Sequence, residues 1–124
     1  MSIERDDRLV TAARTVFADS PQVTIVHGDW RELRAHGPFD LLALDGGGQG
    51  KSSEPPINPR SWLRPGGLVV LDDFTPDTSW PPLYGGRPDE ARLFWLRHPQ
   101  LLATQVRTQP DSVTVIATLI GHGH

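Results

Sequence analysis

Apolar residues fall in short runs along the chain, and their period changes from run to run. Residues 7–18, DRLVTAARTVFA, place Leu9, Val10, Ala13, Val16 and Phe17 at helical spacing. Asp6 or Asp7 is positioned to cap that helix, and Pro21 follows its end. Ile3, ahead of it, reads as the last apolar residue of a very short strand. QVTIVHGD predicts a strand over residues 23–27. DWRE is a capping-box pattern that opens a short helix near residues 30–35, ended by Gly37-Pro38. FDLLALD is a near-continuous apolar run closing on Asp45, and LVVLDD is a second run closing on Asp72-Asp73. Runs of this kind suit strands buried on both faces of a parallel sheet. A loop over residues 46–59, a helical turn near residues 60–63 and an RPGG turn lie between them. FTPDTSWPPLYGGRP reads as a long irregular segment, and residues 89–98, DEARLFWLRH, as a helix with acids first and bases last. LLATQVRT, a Gln-Pro-Asp-Ser turn and VTVIATLI predict an antiparallel hairpin.

This alternation of strands and helices means an α/β fold, mostly parallel, with an antiparallel hairpin at its edge. The 124 residues suffice for a single domain, 1–124, of modest core. Composition then removes whole classes of function. The net charge of −3 comes with no basic block, which argues against nucleic acid or an anionic membrane as partner. No run approaches membrane-spanning length and no signal peptide opens the chain, so a cytoplasmic protein is expected. The absence of cysteine removes disulfide and thiolate chemistry.

LLALDGGGQGKSS looks at first like a phosphate-binding loop. That pattern needs Gly five residues before its Gly-Lys pair, where this chain has Asp45. Lys51 and Ser52 are also followed by Pro55, Pro56 and Pro59, which oppose the required helix. A nucleotide hydrolase is therefore the weakest of the functional readings.

The acids are more telling. Ligands of open parallel sheets sit beyond the carboxyl ends of the strands. Glu4, Asp29, Asp45, Asp72 and Asp73 each fall at or just past such an end. Each has a plainer explanation too: Glu4 as a solvated terminal acid, Asp29 as a helix cap, Asp72 and Asp73 as loop acids. An acid after a second strand commonly holds ribose hydroxyls, which suits Glu4. Asp45, Asp72 and Asp73, from two neighbouring strand ends, are a candidate carboxylate set for Mg2+. His27, His36 and His98 show no ligand spacing, and His122 and His124 lie in the tail. Trp30, after Asp29, is placed either to stack on an adenine or simply to pack, and Trp80 is a candidate substrate-wall residue.

The segments SIERD, AAR, VTIVHGDWREL, FDLLALDGGG and LRPGGLVVLDDFTP together resemble the latter part of a class I S-adenosylmethionine-dependent methyltransferase. Within that superfamily the chain is most similar to the O-methyltransferases of the catechol and caffeoyl-CoA type. The resemblance runs from Ile3 to about Ile120, and LRPGGLVVLDD is its most specific piece. It implies a Rossmann-like sheet of strand order 3-2-1-4-5-7-6 with an antiparallel last strand. By the same resemblance Glu4 holds the cofactor's ribose and Asp29 and Trp30 border its adenine. Asp45 lies near the methionine end, and Asp45, Asp72 and Asp73 form the metal site. It also implies a small-molecule substrate with a hydroxyl acceptor. The chain departs from the pattern at Asp73, where cation-dependent members carry Asn, and at Gly48, where they carry Lys. It departs further at the front, since the family's first strand and glycine-rich turn precede the strand ending at Glu4. The expectation is thus an incomplete sheet with its first strand missing, and weak or absent cofactor binding by these residues alone. The rival is a non-catalytic α/β module that binds a partner or a second copy as a homodimer through an exposed sheet edge.

Overall fold

The structure is a computed structural model that describes all residues except Gly46, Ser52, Ser53, Thr78 and residues 121–124. The readings made on Ser52, His122 and His124 lie outside the described residues. The chain divides into two compact units, Met1–His36 and Gly37–His124.

The first unit is built on two short parallel strands, β1 (Ser2–Glu4) and β2 (Ile25–His27), with Glu4 opposite His27. Helix α1 (Asp7–Val16) joins them. Asp6 caps it, one carboxylate oxygen accepting from the Arg8 and Leu9 amides at 2.9 and 3.4 Å. The helix stops two residues short of the predicted end, at the Phe17 cap, and Val10 is its buried residue. Residues Trp30–His36 form a 3₁₀ helix and not an α-helix. It opens with the Glu32 amide on the Asp29 carbonyl, the three-residue spacing of the tighter helix.

The second unit holds a four-stranded sheet in the order β3-β4-β8-β7. Strand β3 (Phe39–Leu44) runs parallel to β4 (Leu63–Phe74). The predicted hairpin, β7 (Leu101–Gln109) and β8 (Ser112–Leu119), pairs antiparallel to β4 through β8. Helix α2 (Pro59–Trp62) packs on β4, and α3 (Glu90–Arg97) on β7 and β8. Trp62, Leu93 and Trp95 are buried together with Leu42, Leu44, Val69, Leu71, Val115, Ala117 and Leu119. These strand residues share one face. The alternate residues Leu41, Leu68 and Leu102 are exposed, so the expected burial of β3 and β4 on both faces holds for one face only.

Two local features differ from the sequence reading. RPGG is not a separate turn before β4 but a bulge inside it. Phe39 pairs with Leu63 and Leu41 with Leu68, so two steps on β3 match five on β4. At Gly67 a Cβ would lie 2.8 Å from the Arg64 carbonyl oxygen and 2.9 Å from that of Phe39, so the bulge admits no side chain there. Gly67→Ala is expected to cost about 1–3 kcal/mol, the usual range for overpacking, read as a lower urea midpoint at unchanged slope. The segment after β4, read as irregular, contains a small hairpin, β5 (Leu83–Tyr84) with β6 (Arg87–Pro88). Its turn, Gly85-Gly86, has φ of 61° and 78°, the left-handed pair that two-residue hairpin turns require.

Candidate functional site

Strand direction decides where the acids fall. In the second unit Leu44 pairs with Leu71 in parallel, so Asp45 and Asp72 follow at neighbouring carboxyl ends. Strand β8 is antiparallel to β4, which brings the β7–β8 turn to the same end. There Asp45, Asp72 and Asp73 line a pocket of about 190 Å³ with Thr108, Gln109, Asp111 and Ser112. Sites that take a drug-sized ligand measure roughly 300–1,000 Å³, so this pocket is too small for a whole nucleoside cofactor.

The acids are not equivalent. Asp72 accepts hydrogen bonds on one carboxylate oxygen from the Thr114 hydroxyl and the Asp73 amide, both at 2.8 Å. Asp73 has a φ of 71°, the left-handed region that non-glycine residues seldom enter. The bulge that follows, between Leu71 and Phe74 in the pairing with β8, releases both aspartates from the ladder. Among the described residues no three His, Cys, Asp or Glu side chains are arranged to hold a metal ion. Asp45, Asp72 and Asp73, the expected Mg2+ set, line one pocket, with one Asp72 oxygen taken by Thr114 and the Asp73 amide, and nothing among the described residues supports a bound cation there.

The loop after Asp45 is fastened across the strand ends by two residues the acid pattern did not single out. The Gln49 side chain, nearly buried, donates to the Leu44 carbonyl at 2.7 Å and the Asp72 carbonyl at 3.0 Å. The Gln49 backbone carbonyl accepts from the Trp95 indole at 2.9 Å. Lys51 donates to the Asp72 and Asp73 carbonyls at 3.2 and 2.6 Å, with its ammonium 4.5 Å from the Phe74 ring centre. This clip joins β3 and β4 where their ladder has ended. Among the described residues the next helix after Lys51 begins at Pro59, which gives the phosphate-loop reading no support.

Beyond Asp73 the chain is held from below by Arg92, whose side chain is fully buried. Its guanidinium donates to the Thr75 carbonyl, to the Thr75 hydroxyl at 2.9 Å, to the Asp77 carbonyl at 3.5 Å and to Gln105 at 3.4 Å. Asp89 sits 3.5 Å from its Nε as counter-charge. Asp77 in turn accepts from the Ser79 amide and hydroxyl and from the Leu83 amide. Those bonds, led by the Ser79 amide, hold its carboxyl below the usual carboxylate range. Trp80, the proposed substrate wall, is 62% exposed, with the Arg97 guanidinium 5.4 Å from its ring.

In the first unit Glu4 ends β1, and Asp29 lies two residues beyond β2, at the same end of that parallel pair. One Glu4 oxygen accepts from the Asp6 amide at 3.0 Å. Asp29 is paired with the Arg31 side chain at 3.0 Å, and the Arg31 amide, first among the causes, lowers its pKa. The same guanidinium lies 4.8 Å from the Trp30 ring, so Arg31 ties the two residues together. His27 and His98 serve locally: His27 lies against the Arg5 carbonyl, and His98 accepts from the Gln100 amide.

No protein-family model matches the chain. A 47-residue stretch is 47% identical to ribosomal RNA small subunit methyltransferase A of Geobacter metallireducens, covering 38% of this chain and 16% of that protein. The structure is similar to the crystal structure of a possible exported protein from Bordetella parapertussis, with a TM-score of 0.57 at 18% identity. That similarity covers 96% of this chain and 52% of the other, so the chain spans about half the length of its structural relative. It shows a shared mixed α/β fold. Among the described residues no helix is long and apolar enough to cross a membrane.

Proposed function

We propose that residues 1–124 form part of an S-adenosylmethionine-dependent methyltransferase. The observation that carries this reading is the strand order. With β1 and β2 as the second and third strands of a class I methyltransferase sheet, the two sheets read 3-2 and 4-5-7-6, with the antiparallel strand in its place. Acids at the carboxyl ends and the short similarity to a methyltransferase support it further. On this reading Glu4 holds the cofactor's ribose hydroxyls through its remaining carboxylate oxygen, and Asp29 and Trp30 border the adenine. Asp45 faces the methionine end. The bound cofactor supplies an electrophilic methyl group. Transfer from it is an in-line displacement, so what these residues contribute is position.

The acceptor we propose is a small-molecule hydroxyl, received at the pocket beside Asp73 and Asp111. The similarity to an enzyme named for ribosomal RNA favours a second reading, an RNA acceptor. Four aspartates around one pocket and a net charge of −3 oppose it, because RNA binding draws on cationic contacts to phosphate.

The test is an amide-resolved NMR titration of residues 1–124 with S-adenosylmethionine. Weak, millimolar-range binding is expected, with shifts at residue 4 and residues 28–30. Glu4→Gln should weaken it about tenfold, the worth of one hydrogen bond to a charged group. No shift in the first unit at saturating cofactor sinks the methyltransferase reading and leaves the non-catalytic module. Micromolar or tighter binding sinks the claim that these residues hold only part of the site.

A further inference from the structure

Backbone strain singles out one residue of the pocket. Among the described residues Asp73 is the one non-glycine residue with a positive φ, 71°. That conformation crowds Cβ against the following carbonyl oxygen, and it persists only where the surroundings fix it. Here they fix it on both sides. The Asp73 amide donates to the Asp72 carboxylate at 2.8 Å, and the Asp73 carbonyl accepts from Lys51 at 2.6 Å. Phe74, next in the chain, is buried, rejoins the ladder opposite Val113, and has the Lys51 ammonium 4.5 Å from its ring centre. The Gln49 side chain by itself ties the ends of β3 and β4, through the Leu44 and Asp72 carbonyls. The Lys51 side chain bonds Asp72 and Asp73 alone, so its hold falls on the strained residue.

What the strain secures is a free carboxylate. Successive residues of a regular strand point to opposite faces, so Asp72 and Asp73 in strand geometry would not share one pocket. With the left-handed step, both line it. Asp72 has one oxygen taken by the Thr114 hydroxyl and the Asp73 amide. The Asp73 carboxylate, among the described residues, accepts no hydrogen bond. We propose that Asp73 takes the acceptor's hydroxyl proton and that Lys51 is the positioning residue that holds it ready to do so. The proposal rests on the methyltransferase reading above and adds the group that activates the hydroxyl. A base must stand within hydrogen-bond reach of the proton it removes, and an unpartnered carboxylate at the pocket wall meets that condition. As the hydroxyl oxygen bonds the methyl carbon, the carbon–sulfur bond breaks with its electron pair on sulfur. The proton passes to an Asp73 oxygen and from there to water.

The test titrates residues 1–124 with phenol, a hydroxyl compound small enough for the pocket, and reads amide-resolved NMR shifts. Shifts are expected at Asp72, Asp73, Asp111 and Ser112. Asp73→Asn keeps the side chain's shape and should weaken phenol about tenfold, the worth of one hydrogen bond to a charged group. Asp73→Gly should weaken it as much and leave the urea midpoint unchanged or higher, because glycine adopts that φ freely. Lys51→Met should weaken phenol several-fold, and Lys51→Arg, which keeps the cation, should restore most of the loss. Added to Asp73→Asn, Lys51→Met should change phenol binding no further, since its effect passes through Asp73. Should Lys51→Met fail to fold, the Asp73 variants still decide. Parent-like phenol binding by Asp73→Asn, or no shift at the pocket up to the solubility of phenol, overturns the proposal. A lowered urea midpoint in Asp73→Gly overturns it too, by making the carboxylate part of the fold. An additive loss in the double variant makes Lys51 a structural clip and removes its positioning role. The S-adenosylmethionine titration is a separate reading: its failure at residues 4 and 28–30, with phenol still bound at Asp73, sinks the methyl donor and not the hydroxyl site.

Discussion

Arg92→Ala is expected to destabilise the second unit by about 3–5 kcal/mol, the cost of breaking a buried ion pair by removing one partner. Arg92 is fully buried and Asp89 nearly so, and the deletion leaves the Asp89 carboxylate without its counter-charge. Asp89 retains one bond, from the Arg92 backbone amide, so helix α3 keeps its cap and loses its neutralisation. The carbonyls of Thr75 and Asp77 lose their donors in the same step. Small domains have roughly 5–15 kcal/mol of stability in all, so this one change removes a large share. Arg92→Lys separates charge from shape. It keeps the cation, but a single ammonium cannot serve Thr75, Asp77 and Gln105 from one planar fork, so a smaller loss is expected. Urea unfolding of the two variants followed by far-UV circular dichroism is the measurement. Equal losses for alanine and lysine, or a loss below about 1 kcal/mol for alanine, would show that the pair is dispensable.

Arg92 also marks a limit of sequence reading. In DEARLFWLRH it looks like an ordinary surface arginine on an amphipathic helix, and nothing local distinguishes it from Arg97, which is exposed. Its burial comes from the loop that folds over it, residues 75–77, and that loop has no periodicity to read. Elements with strong periodicity were legible. The β3 run, the terminal hairpin and α3 appear within a residue or two of their expected bounds, and β4 ends one residue past its expected end but begins five residues before its expected start. RPGG was misplaced because a bulge and a turn share the same residues, and only pairing with Phe39 and Leu41 tells them apart. The small hairpin had a signal, Gly85-Gly86, that the surrounding prolines masked. Around the pocket, the acids at strand ends were legible because strand direction alone places them. Asp111 was missed, although a hairpin antiparallel to β4 must turn at the carboxyl end of β4 and that signal was there to be read. Gln49 and Lys51 were not legible, because a loop's side-chain bonds to strand-end carbonyls have no sequence period. The metal set gained no support for a related reason: proximity along two strands does not fix where carboxylates point, and Thr114 takes one oxygen of Asp72.

Trp95 is where packing and the candidate site meet, and its removal is the second large expected effect. Its side chain is fully buried, stands edge-on to Phe94 at 5.0 Å, and donates its indole N–H to the Gln49 carbonyl. Trp95→Ala should cost about 3–5 kcal/mol, the usual range when a buried aromatic is cut to alanine. Trp95→Phe isolates the hydrogen bond. It keeps most of the apolar volume and leaves the Gln49 carbonyl unsatisfied, for an expected loss of about 1–3 kcal/mol. The consequence should reach the strand ends, because Gln49 clips the Leu44 and Asp72 carbonyls together. In Trp95→Phe the amides of Ile57, bound to the Gly48 carbonyl, and Asp73, bound to the Asp72 carboxylate, should exchange with solvent faster than in the parent. Gln49→Ala should speed the same two amides without opening a cavity of tryptophan size. If Trp95→Phe lowers stability and leaves those amides unchanged, the indole is a core residue alone, and the spacing of Asp45 and Asp72 is set by the β3–β4 ladder without it.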